Sequence, residues 1–162
     1  MIVGNPNTFS ILTMKIESWN QDDTFCNGLL VLSVDSNLFP GEYRAATLKY
    51  EVPELKEKLS RIEIDKEIFN MVKNKAFSVI YNLSYPREYD IENDFRFEIS
   101  PSVLQDCHCF VFAVSNGEFV RFLAGQLEYI KEESRHNLND IDVSETFISM
   151  VELNEIIAQL EI

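Results

Sequence analysis

Cys107 to Leu123 is the most constraining stretch of this sequence: two apolar runs, Cys107 to Ser115 and Glu118 to Leu123, joined by Asn116-Gly117. Asn-Gly suits the two positive-φ positions of a type I′ turn, whose twist matches that of paired antiparallel strands. A β-hairpin is expected here, and with it an antiparallel sheet. Further strands follow from alternation of apolar and polar residues. Leu12, Met14 and Ile16 share a face within Phe9 to Trp19, and Asn20-Gln21-Asp22-Asp23 is a turn signal. Leu29 to Val34 is almost continuously apolar, as in a strand buried on both faces. Ala46, Leu48, Tyr50 and Val52 alternate with polar residues, which predicts a third strand ending at Pro53. Phe95, Phe97 and Ile99 predict a fourth, and Val143 to Ile148 a last one.

Helical spacing appears between these strands. Pro53 suits the first turn of a helix, where its missing N–H costs nothing, and Leu55, Leu59 and Ile62 follow at the right intervals. Asp65 reads as the N-cap of a longer helix whose stripe is Ile68, Phe69, Val72, Ala76, Val79, Ile80 and Leu83. Ser149 and Glu152 have the spacing of a capping box ahead of Leu153, Ile156, Ile157 and Leu160. The grouping predicts an α+β fold: a largely antiparallel sheet of about six to seven strands, with two central helices and a C-terminal helix packed on one face. Nothing in the 162 residues looks like a linker or a repeat, so a single domain over residues 1–162 is expected.

Charge narrows the partners. There are 27 acids against 14 bases, a net charge of −13. Such a chain is repelled by nucleic acid and by anionic membranes and is drawn to a basic protein. The opening Met1-Ile2-Val3-Gly4-Asn5-Pro6 has no basic region before an apolar run. No stretch reaches the ~20 apolar residues of a membrane helix. Three cysteines give no disulfide framework. A cytoplasmic protein is expected.

Motifs for chemistry are missing. Cys107-His108-Cys109 could offer two thiolates on one strand face, but structural zinc wants four ligands. Cys26 and His136 supply no second pair at ligand spacing. Buried cysteines are the better reading, and no metal, cofactor or catalytic residue is expected. The aromatic residues, 12% of the chain, interleave with apolar neighbours rather than with Lys and Arg, as in a core. The acids are less evenly spread. Residues 83–162 hold sixteen acids against five bases. Glu128, Glu132, Glu133, Asp140, Asp142 and Glu145 fall close together, with Tyr129 among them. Such a segment is either a solvated edge or a docking surface for a basic partner. The docking reading makes these seven residues the candidate partner-binding site.

Several blocks resemble a known family. Gly4-Asn5-Pro6 with Phe9, Trp19-Asn20, Phe25, Asn27-Gly28 and Phe39-Pro40 look like the immunity protein 42 family of bacterial polymorphic toxin systems. Phe110-Val111-Phe112-Ala113-Val114-Ser115-Asn116-Gly117 and Ser134-Arg135-His136-Asn137 are similar to it as well. The resemblance implies a small cytoplasmic protein that neutralises a cognate toxin C-terminal domain, often a nuclease; the acidic charge balance makes a basic toxin the expected partner, and a monomer before binding is expected. The resemblance carries over no catalytic or contact residue. Two other classes stay open: an acidic secretion-chaperone-like binding protein, and an enzyme without a recognisable motif.

Overall fold

The computed structural model describes residues 1–22 and 24–161, so Asp23 of the expected turn lies outside the described residues. The first five strands are β1 (Ile2–Gly4), β2 (Phe9–Lys15), β3 (Asn27–Val34), β4 (Asn37–Phe39) and β5 (Ala46–Thr47). They form one antiparallel sheet in the order β1-β2-β3-β4, with β5 added at the start of β3. Four helices follow: α1 (Leu48–Leu59), α2 (Lys66–Phe69), α3 (Lys73–Ser84) and α4 (Ser102–Asp106). The second half holds β6 (Cys109–Ser115), β7 (Phe119–Gln126), the short pair β8 (Tyr129–Ile130) and β9 (Arg135–His136), β10 (Ser144–Ser149) and α5 (Met150–Gln159). A second antiparallel sheet has the order β10-β7-β6.

The α+β class and the antiparallel pairing are as expected, but the strands divide between sheets and the helices lie on two sides. Strand β6, although last in its sheet, is buried along its whole length. Its alternate residues Cys109, Val111 and Ala113 share a core with the first sheet, α1 and α5. Phe110, Phe112 and Val114 point the other way, onto Ala76, Phe77, Ile80 and Tyr81 of α3. Phe122 of β7 and Phe9 of β2 stack at 3.8 Å between ring centroids and join the two sheets. The hairpin forms as predicted, though only Gly117 takes positive φ (101°), whereas type I′ needs it at both central residues. Asn116 Oδ1 instead accepts from the backbone N–H groups of Glu118 and Phe119.

Three local expectations are corrected. Residues 48–52 are helix rather than strand, because Leu48, Val52, Leu55 and Leu59 lie at helical spacing and are all buried. Pro53 sits inside that helix, where it forfeits a backbone hydrogen bond. Glu51 turns back to accept from Thr47 N–H at 3.2 Å and reaches Val103 N–H of α4 at 2.9 Å. Asp65 does cap a helix, accepting from Ile68 N–H at 3.0 Å, but α2 ends after Phe69 and α3 starts afresh. The break has a partner: Arg121 Nη1 donates to the carbonyls of Phe69 (3.0 Å) and Met71, which a continuous helix would have used. Finally, residues 95–99 make no strand of their own. Ile99 N–H donates to Val111 O, and Ala113 N–H to Phe97 O, along the edge of β6. The capping box of α5 is formed by Ser149 and Glu152 as predicted.

Candidate functional site

The β8–β9 hairpin lies against the C-terminal ends of α3 and α4. Tyr129 pairs with His136 and Ile130 with Arg135, and Ser134 takes positive φ in the turn. Two side chains tie the hairpin down. Arg135 donates to Tyr85 O and to Asn82 Oδ1, both at 2.7 Å, and its guanidinium lies 5.5 Å from the Tyr81 ring centre. His136 reaches Tyr81 and His108. His108 follows the end of α4 with φ of 57°, which aims its ring at the hairpin, and Tyr129 stacks on it 5.7 Å away. Between them lies a recess of about 500 Å³ lined by Tyr81, Tyr85, His108, Phe110, Tyr129 and Arg135 among others.

Tyr81, His136 and His108 form one hydrogen-bonded chain. The His136 backbone N–H donates to the Tyr81 hydroxyl at 3.2 Å, and His136 Nδ1 lies 3.1 Å from the same oxygen. His136 Nε2 lies 2.9 Å from His108 Nδ1, so the two imidazoles share one hydrogen bond. Burial, reinforced by His108 and Arg135, pulls the His136 pKa down to about 4. Only the unfolded chain then gains this proton between about pH 6.5 and 4, so stability falls as the pH drops through that window. Glu98, whose pKa burial raises, acts in the opposite sense: its contribution is lost as pH rises. Glu98 is common to the protein and its His136→Gln variant, so their difference isolates the histidine. The urea midpoint of the unaltered protein should fall further from pH 7 to pH 5 than that of His136→Gln. Equal falls would refute the assignment.

The cysteines play no part in this recess. Cys107 ends α4 rather than belonging to the strand, and Cys109 begins β6. Both are buried in the inter-sheet core, and burial pushes the Cys109 thiol up to about 12. Among the described residues no group of three or more His, Cys, Asp and Glu could hold a metal ion. No helix among them is long and apolar enough to cross a membrane.

The model of the family described as Immunity protein 42 matches residues 1–162. The chain belongs to that family. It is therefore an immunity protein, as the sequence resemblance implied. The crystal structure of CdiI from Burkholderia dolosa AUO158 has the same fold: the TM-score is 0.77 at 22% identity, covering 98% of this chain and 96% of that one. No curated protein matches.

The fold explains several residues that carried the resemblance to Immunity protein 42. Asn20 clamps the β2–β3 loop, accepting from Asn27 N–H and donating to Ile16 O and Asn27 O. A Cβ on Gly28 would lie 2.1 Å from Met14 O, so only glycine lets β2 and β3 pair there. Arg135 and His136 anchor the hairpin described above.

The seven acidic-segment residues end up in three settings. Glu128, Tyr129, Glu132 and Glu133 sit together on the β8–β9 hairpin, all exposed. The segment is thus more regular than its sequence suggested. Asp140 and Asp142 are exposed on the connection to β10, which the buried Ile141 and Val143 pin to the core. Glu145 faces inward, its Oε2 accepting from Arg121 Nη2 at 2.6 Å and from Nε at 3.0 Å. Sequence reading missed Arg121, Glu98 and the histidine pair. A lone charge inside each apolar run was available as a signal for the first two, while nothing local links His108 to His136.

Proposed function

We propose that this immunity protein binds its cognate toxin C-terminal domain one to one in the cytoplasm and masks the surface that domain uses on its target. Family membership carries the reading. The exposed acids Glu128, Glu132, Glu133, Asp140 and Asp142, with Tyr129 beside them and Glu145 at their border, form the docking surface. The toxin is a basic nuclease on this reading, since a nuclease must hold phosphate with Lys, Arg or backbone N–H groups, and carboxylates can occupy that surface. The general negative field speeds encounter, and the few pairs that lose water on docking supply specificity. The immunity protein itself is a monomer before binding and performs no turnover.

Titrating purified toxin domain with the protein should stop nuclease activity at a fixed 1:1 ratio. Inactivation of excess toxin by sub-stoichiometric protein would show catalysis instead. Changing Glu128, Glu132 and Glu133 to Gln and Asp140 and Asp142 to Asn together should slow association at least about tenfold at low salt, with a smaller effect at moderate salt. Unchanged rates and affinity at both salts, in a folded variant, would reduce the acidic segment to a solvated edge.

A further inference from the structure

We propose that the recess beside Glu98 receives a basic side chain of the toxin domain, and that the Glu98 carboxylate is the buried acid that pairs with it. The inference rests on the toxin-binding reading above and adds a residue that the charge pattern of the sequence did not single out.

Glu98 is 4% exposed. The Tyr85 hydroxyl lies 2.8 Å from both carboxylate oxygens and shares its one proton between them, and Oε1 also accepts from Gln105 Nε2 at 3.1 Å. All these donors are neutral. Among the described residues no cation stands within ion-pair distance of it, although three line the adjoining groove. Each of those has another partner: Lys58 pairs with Glu54 at 2.8 Å, Arg61 with Glu57 at 2.7 Å, and Arg96 with Asp94 at 2.9 Å. A buried carboxylate without a cation is a costly arrangement. Burial accordingly raises its pKa, against the Tyr85 hydrogen bond and the distant pull of Lys58.

The carboxylate is not sealed off. It borders a recess of about 390 Å³ whose walls include Phe95, Tyr85 and Gln105. A second recess of about 370 Å³, between α1 and residues 95–98, shares Glu54, Lys58, Phe95 and Glu98 with it. Tyr85 and Gln105 also border the histidine recess under the hairpin. Shared walls thus link the three between α1 and the hairpin that bears Glu128, Glu132 and Glu133, with the Glu98 recess in the middle. A guanidinium entering it would meet the carboxylate with its planar fork and lie against aromatic rings on the way. Tyr85 and Phe95 stand edge to face at 5.7 Å. The surface acids would steer a basic protein to this face, and Glu98 would hold it there.

Two variants test the assignment with the whole protein and purified toxin domain. Glu98→Gln keeps the shape and an acceptor for Tyr85 but loses the charge. It should fold with a thermal midpoint no lower than that of the unaltered protein. Its toxin affinity should drop at least about 30-fold, chiefly through faster dissociation. Gln105→Lys places an ammonium beside Glu98 from within, and should weaken toxin binding in the same way. It carries the test alone if Glu98→Gln fails to fold. Toxin affinity within about twofold of the unaltered protein in either folded variant overturns the inference while leaving the toxin-binding reading intact. Failure of the unaltered protein to bind the toxin overturns that reading and this inference with it.

Discussion

Replacing Arg121 with methionine is expected to lower the unfolding free energy by about 3–5 kcal/mol, the cost of breaking a buried ion pair by removing one partner. Arg121 is 3% exposed and serves several groups at once. It pairs with Glu145, donates to the carbonyls of Phe69 and Met71, and holds its guanidinium 5.5 Å from the centre of the Phe147 ring. Its loss leaves two backbone acceptors at the α2–α3 break without a donor. For a chain of this size the thermal midpoint should fall by about 6–20 °C. Glu145→Gln alone leaves the buried Arg121 charge without a counter-ion, but an amide oxygen and the two carbonyls still accept from it, so the cost should be less, about 1.5–3 kcal/mol. Adding Glu145→Gln to Arg121→Met should recover only part of the loss, since the unmet carbonyls remain. Full recovery in the double variant would show that the ion pair, and not the helix break, is what Arg121 supports.

Phe122→Ala should cost a similar ~3–5 kcal/mol by leaving a cavity between the sheets. Phe122 is fully buried in the central strand β7, and its ring lies almost parallel to that of Phe9, at 3°. Because β2 belongs to one sheet and β7 to the other, this contact couples two units that share no strand. Phe122→Leu, which keeps most of the volume, should cost under half as much. Urea unfolding of both variants measures the difference. Equal costs would mean that the ring geometry, rather than the filled volume, carries the stabilisation.

Short-range signals in the amino-acid order were enough for a defined part of this protein. Asn116-Gly117 sets the hairpin, Asp65 caps α2, and Ser149 with Glu152 opens α5, because each works through atoms within three or four residues of itself. The excess of acids in the second half and the resemblance to the Immunity protein 42 family were legible in the same way. Long-range contacts decided the rest. Residues 46–52 satisfy both the two-residue and the helical period, and only the neighbours that bury Leu48 and Val52 choose the helix from residue 48 onward. One apolar stripe from Ile68 to Leu83 predicts one helix, yet Arg121, some fifty residues later, takes the carbonyls that would have continued it. His108 and His136 meet across 28 residues, and Glu98 becomes a buried acid through Tyr85 and Gln105. Periodicity records which face of a segment is apolar, but a buried charge is stable only where the folded chain brings its partners. Those partners come from other elements, so tertiary packing alone assembled the groove in which this protein is expected to hold its toxin.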